Sequence, residues 1–332
     1  MTQEAPIDLN GSSVLVTGGT GSFGQAFVRH LFEAYKPRRV VVYSRDELKQ
    51  FEMQQRFWPK ELRYFIGDVR DVDRLRRALS GIDVVVHAAA LKQVPAAEYN
   101  PIECIKTNVM GAENVINACI DVGVRRVVAL STDKAVNPLN LYGATKLCSD
   151  KLFIAANHLS ANTPTRFSIV RYGNVIGSRG SVIPFFKSRR SSGVLPITDP
   201  RMTRFWLTVE EGVRYVDRAI RVMRGGEIFV PKIPSMRVTE LASVIGPECR
   251  QEVVGIRPGE KLHETLVPRD EAPHTVEFND FYVIRSAVRL WDTSNDLVLG
   301  GEIGRRVKDD FEYRSDNNDD WASGERLEAL AG

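Results

Sequence analysis

The chain has 332 residues, 43% hydrophobic and 26% charged, the profile of a soluble globular protein with enough sequence for a large core and a smaller second lobe. Its 45 basic and 42 acidic residues leave a formal charge of +3, too small and too dispersed to argue for nucleic acid. No apolar run approaches the ~20 residues of a membrane span, and residues 1–10 lack the apolar core of a signal peptide, so a cytoplasmic location is expected. The four cysteines, Cys104, Cys119, Cys148 and Cys249, form no C-x-x-C pair, which predicts reduced and mostly buried thiols. The five histidines form no ligand-spaced cluster, and no metal is expected.

The first apolar run, Ser13–Thr17, leads into Gly18-Gly19-Thr20-Gly21-Ser22-Phe23-Gly24 and then a helical pattern through Phe27, Leu31 and Tyr35. Strand, glycine turn and helix in that order form a phosphate cradle: the glycines let the backbone approach a pyrophosphate, and the helix offers free N–H groups at its positive end. The spacing G-x-x-G-x-x-G departs from the plain G-x-G-x-x-G, and by itself an ordinary strand–helix turn explains it as well. A second strand at 39–43 ends in Ser44-Arg45-Asp46. Ser44 and Arg45 suit a ribose 2′-phosphate and favour NADP, while Asp46 leaves NAD open. Gly67-Asp68-Val69 follows a third strand at Leu62–Ile66, and Ala88-Ala89-Ala90 follows a fourth at 84–86; these residues are expected against the cofactor. Asn108 is either a further cofactor contact or an amide inside a helix.

A fifth strand at 126–130 delivers Ser131-Thr132-Asp133-Lys134 to the crevice where such sheets bind ligands. Tyr142 and Lys146 follow; four residues apart on a helix, they share a face. The ammonium is expected to lower the phenol's pKa toward working pH, making it a base for an alcohol proton. Dehydrogenation needs nothing more, so Asp133 and Lys134 add a second acid/base couple and suggest a further step. Strand and helix alternate to about Arg171 and imply a doubly wound parallel α/β sheet over residues 1–173. From 174 to 332 the alternation loosens into a substrate lobe, with some later segments returning to the sheet; a short amphipathic helix is expected at 325–330.

Five ordered blocks resemble a known family: Thr132-Asp133-Lys134-Ala135 with Asn137-Pro138; Tyr142 with Lys146; Arg171-Tyr172-Gly173-Asn174-Val175; Gly177-Ser178-Arg179-Gly180-Ser181-Val182-Ile183-Pro184; and Arg257-Pro258-Gly259-Glu260-Lys261-Leu262-His263-Glu264. Together, from about Gly11 to Trp321, they look like the extended short-chain dehydrogenase/reductases, and within them the inverting UDP-N-acetylglucosamine 4,6-dehydratases that open the pseudaminic acid pathway. Similar branches carry methionine where this chain has Tyr142. The resemblance implies a homo-oligomer, hexameric in this family, with UDP-N-acetylglucosamine as substrate and NADP as cofactor.

It also implies a mechanism. Tyr142 takes the C4-hydroxyl proton as C4 is oxidised, and the ketone acidifies the C5 hydrogen. Lys134 then acts as base if burial or Lys146 depresses its pKa, and Asp133, protonated, gives its proton to the departing C6 oxygen. Thr132 either bonds the C4 oxygen or caps a turn, and Lys92 either reaches substrate or is solvated. Asn174, Arg179, Gly180, Ser181 and Val182 are expected near the diphosphate, and Arg257 and Glu260 at phosphate and ribose. His263 has a structural reading. The rivals are a nucleotide-sugar 4-epimerase or reductase, which has no need of Asp133 and Lys134, and a non-enzymatic NADP sensor, which has no need of Tyr142 and Lys146.

Overall fold

A computed structural model describes residues 7–177, 182–287 and 297–323. Six parallel strands, Ser13–Thr17, Arg39–Ser44, Leu62–Ile66, Val84–His87, Arg126–Thr132 and Arg166–Tyr172, form the doubly wound sheet in the order third, second, first, fourth, fifth, sixth. Their near-continuous apolar runs are what strands buried on both faces require. Helix Ser22–Ala34 packs with Val209–Val222, while Val72–Ala78, Gly111–Val122 and Leu141–Leu159 pack in series.

The sheet does not end at the sixth strand. Ile228–Pro231 joins it in parallel, and Phe281–Ile284, Thr275–Glu277 and Arg305–Arg306 extend the edge antiparallel, giving ten strands among the described residues. The intervening segments build a lobe with its own core, including Ile183, Phe186, Leu195, Trp206, Met236 and Leu241. In its three-stranded sheet, Thr203–Leu207 lies between Asn174–Val175 and Ser235–Arg237. Near the end of the described chain, Tyr313–Arg314 pairs with Thr265–Val267.

Caps set the helix starts. Asn140 accepts the Gly143 N–H at 2.8 Å and opens Leu141–Leu159, and Thr208 with Glu211 forms a reciprocal capping box for Val209–Val222. The fifth strand runs two residues beyond its expected end, so Ser131 and Thr132 are strand and Asp133 opens the one-turn 3₁₀ helix Asp133–Ala135. Among the described residues no helix is long and apolar enough to cross a membrane. The helix expected at 325–330 lies outside the described residues.

Candidate active site

Between the sheet's carboxyl edge and the second lobe lies a cavity of about 1150 Å³, more than one small ligand needs. Gly18, Thr20, Gly21, Ser22, Phe23, Gly24, Ser44, Arg45, Asp68, Val69, Ala88, Ala89 and Ala90 line one end. Lys92, Asn174, Val182, Arg257 and Glu260 line the other, and Thr132, Lys134, Tyr142 and Lys146 stand where the two meet. Arg179, Gly180 and Ser181 lie outside the described residues.

At the first end Gly18 has φ +65°, and a Cβ there would sit 2.9 Å from the backbone of Ala88 and Ala89. Only glycine brings this turn against the fourth strand's exit. Gly21 caps helix Ser22–Ala34 without a side-chain bond, and the first turn holds no acid, so its opening N–H groups keep no side-chain acceptor. That cradle fits the pyrophosphate of a dinucleotide. The Thr20 and Ser44 hydroxyls pair at 2.9 Å beside it. Asp46 caps helix Glu47–Arg56 by accepting from the Lys49 N–H and also pairs with the Lys49 ammonium. Arg45 remains more than half exposed, 3.7 Å from Asp68. Burial would raise the Asp68 carboxyl, but Arg70 and Arg45 hold it below the usual range.

Asn108 does not reach the cavity wall. It is buried in the π-helical turn Lys106–Met110, where it accepts from the Leu91 N–H at 2.8 Å and donates to the Leu91 carbonyl at 2.9 Å and the Thr145 hydroxyl at 3.0 Å. Both ends of the amide are therefore used in pinning the 88–92 loop to the helix of Tyr142.

At the centre, three expectations change. Burial pushes the Tyr142 phenol up to about 12; the Lys134 ammonium and the Thr132 hydroxyl pull it down, while Asp133 pushes it further up. The cation working on the phenol is therefore Lys134, whereas Lys146 donates to the Leu130 carbonyl at 2.7 Å and is itself lowered by burial, with Asp150 opposing. Lys134 is not depressed. Burial pulls it down, but Asp133 and Glu264 outweigh that and hold it above the ordinary lysine range. Asp133 is fully buried beneath Lys134 and not on the cavity wall; one oxygen accepts from Thr132 and Lys134, each at 3.0 Å, and the other has no partner among the described residues. Thr132 caps the 3₁₀ turn through the Lys134 N–H at 3.3 Å and lies within hydrogen-bond reach of Tyr142.

At the far end the Asn174 amide oxygen accepts from the Lys134 ammonium at 3.2 Å, and Arg257 approaches Glu260 at 3.9 Å. Lys92, lowered by burial and by the Lys134 charge, shares the cavity wall. His263 meets the Thr203 hydroxyl at 2.8 Å, away from the reacting groups. Sequence reasoning missed three contributors. Gly143 lets the Tyr142 helix lie on the Lys134 carbonyl, because a Cβ there would come within 2.2 Å of that oxygen. Glu264 and Arg204 reach the reacting groups from distant segments. For Gly143 the signal was a glycine inside a helix run; for Arg204 the local sequence carries none.

Residues 14–286 match the family described as polysaccharide biosynthesis protein. The chain is 56% identical over 322 residues, 96% of each chain, to a protein of Campylobacter jejuni subsp. jejuni named UDP-N-acetylglucosamine 4,6-dehydratase (inverting). It is 41% identical, over 82% of each chain, to a Rickettsia canadensis protein named UDP-glucose 4-epimerase. Among solved structures, Pen from Bacillus thuringiensis matches at 36% identity and a TM-score of 0.88 over 98% of each chain. The dTDP-glucose 4,6-dehydratase DesIV of Streptomyces venezuelae, solved with NAD bound, matches at 27% identity and a TM-score of 0.67, covering 75% of this chain and 86% of that one. The chain thus belongs to the polysaccharide biosynthesis protein family, with the extended short-chain dehydrogenase/reductase fold, and is an enzyme of the nucleotide-sugar 4,6-dehydratase kind, a hydro-lyase.

Proposed function

We propose that the protein converts UDP-N-acetylglucosamine to UDP-2-acetamido-2,6-dideoxy-β-L-arabino-hex-4-ulose, with NADP as resident cofactor and inversion at C5. The observation that carries this reading is Lys134, backed by buried Asp133, sharing one cavity with Tyr142; an epimerase or reductase needs the phenol but not the couple. NADP is favoured because Ser44 and Arg45 close the second strand while Asp46 is spent on capping a helix. The 56% identity to an inverting enzyme supports both the sugar and the stereochemistry.

Tyr142 accepts the C4-hydroxyl proton while Lys146 holds the helix against the Leu130 carbonyl. When bound, the nicotinamide supplies the hydride acceptor at C4, later the donor at C6, and a positive charge that favours the phenolate. The ketone acidifies the C5 hydrogen, and loss of that proton with the C6 hydroxyl releases one water. Lys134 is the member of its couple that faces the sugar: its ammonium gives a proton from Nζ to the departing C6 oxygen, the amine so formed takes the C5 proton, and Asp133 balances the charge from behind. The lobe carrying Asn174, Arg257 and Glu260 grips the nucleotide. Cytoplasmic location, a hexamer, and a place at the head of pseudaminic acid synthesis for flagellin glycosylation follow as parts of the same reading.

The test is incubation with UDP-N-acetylglucosamine in D2O, followed by proton NMR, with mass spectrometry of the cofactor released on denaturation. Expected are a 6-methyl, 4-keto product of L-arabino configuration with one solvent deuterium at C5, bound NADP(H), and no accumulation of NADPH. A D-xylo product appearing first assigns the chain to retaining enzymes, a 4-epimer identifies an epimerase, and bound NADP without turnover of the sugar identifies a sensor.

A further inference from the structure

Lys134 is bracketed by carboxylates from two distant parts of the chain. Asp133 reaches its ammonium at 3.0 Å from the neighbouring residue, and Glu264 reaches it at 3.6 Å from the far side. Glu264 is 2% exposed, and three cations surround it: Lys134, Lys261 at 3.7 Å and Arg204 at 3.8 Å. Its backbone is fixed by Ser315, whose hydroxyl accepts the Glu264 N–H at 2.9 Å and whose own N–H donates to the Glu264 carbonyl at 2.8 Å. Lys261 also bonds the Val136 carbonyl, and the Gly259 carbonyl accepts from Asn140 at 2.8 Å. The 257–264 block is thereby clasped onto both the 3₁₀ turn of Lys134 and the cap of the Tyr142 helix.

We infer that Glu264 is a positioning residue of the dehydration: it holds Lys134 as an ammonium facing the sugar and ties the nucleotide-gripping 257–264 block to the chemistry at C5 and C6. The inference rests on the proposed dehydratase reading. Charge bookkeeping around the site supports it. Facing Lys134 are Asp133 from its own turn, Glu264 and Lys261 from the 257–264 block, Arg204 from strand Thr203–Leu207, Lys92 from the loop after the fourth strand, and Tyr142 from its helix. Neutralising Glu264 leaves Lys134, Lys261 and Arg204 around the single carboxylate Asp133, and an uncompensated buried cation is costly. Arg204 cannot give up its proton. Lys134, open to the cavity, and Lys261 are the groups that can.

The test is the pH dependence of C5 deuterium exchange and of single-turnover water loss in the NADP-loaded protein, for wild type, Glu264→Gln and Lys261→Met. Removing one nearby opposite charge moves a pKa by about 1–3 units. Glu264→Gln should therefore bring the alkaline limb of water loss down by about 1–3 pH units relative to wild type. Lys261→Met, which removes a competing cation, should keep the wild-type profile. Bound NADP and a single cooperative melting transition well above the assay temperature certify the fold of each variant. A Glu264→Gln profile parallel to wild type, lower at every pH, would show a merely structural role, and a limb that vanishes when Lys261→Met is added to Glu264→Gln would place the titration on Lys261; either outcome overturns the inference while leaving the dehydratase reading intact. Wild type without 4-keto product would overturn that reading itself.

Discussion

The titration of Tyr142 and Lys134 is where local sequence misleads. The residue types and their four-residue spacing announce a phenol, an acid and amines in one crevice, and the structure brings them there. Their charge states were not legible, because burial raises the phenol and the partners that govern Lys134 include a carboxylate 130 positions away. The same burial has a measurable cost for the whole chain. Tyr35, Tyr64 and Tyr142 are each pushed up to about 12, mainly by burial. A phenol with a raised folded pKa stabilises fully below the unfolded value near 10, and that stability is lost as pH rises through the folded one. On the acid side, burial and the Lys146 charge lower His87 to about 3, so its contribution is whole above pH ~6.5 and drains as pH falls toward 3. Each titrating group acting alone changes stability by about 1.4 kcal/mol per pH unit in its window. Urea midpoints measured against pH should show a plateau from about 7 to 10 with a fall on both sides; a midpoint that stays level from pH 10 to 12 would contradict these burials.

At the scale of elements, the strand–glycine–helix start and the alternation behind it were readable because parallel strands buried on both faces leave near-continuous apolar runs. The fit between helix Leu141–Leu159 and the Asp133–Ala135 turn was not, since nothing in a Y-G-A-T-K string shows what lies against its glycine. Two effects compete on replacing that glycine. Gly143→Ala gains helix propensity of roughly 1 kcal/mol, but its Cβ would stand 2.2 Å from the Lys134 carbonyl oxygen, and overpacking of that kind costs about 1–3 kcal/mol. The clash should win or draw in stability. In catalysis the variant should lose outright, because a shift of about 1 Å between Tyr142 and Lys134 is worth on the order of 100-fold in rate. Thermal melting and turnover of Gly143→Ala check both; a stabilised variant with wild-type turnover would mean that helix and turn are not rigidly packed.

Across the whole molecule, the change of pattern after 174 was legible, but the destinations of the later segments were not. Ile228–Pro231 and Phe281–Ile284 are short apolar runs that fit either lobe on pattern alone; pairing of the first with the sixth strand, and of the second with the first, decides for the sheet. This threading gives the molecule an order in time. The dinucleotide cradle draws on residues 18–90, whereas Lys134 acquires its second carboxylate only when Glu264 arrives, and Glu264 is held by Ser315. A growing or refolding chain should thus become a nucleotide binder before it becomes a catalyst. Following refolding from urea by the fluorescence of bound reduced nicotinamide dinucleotide and by 4-keto sugar formation in parallel should show the fluorescence recovering first, with turnover lagging behind it; recovery of both in a single shared phase would mean that the cradle, too, waits for the last strands to dock.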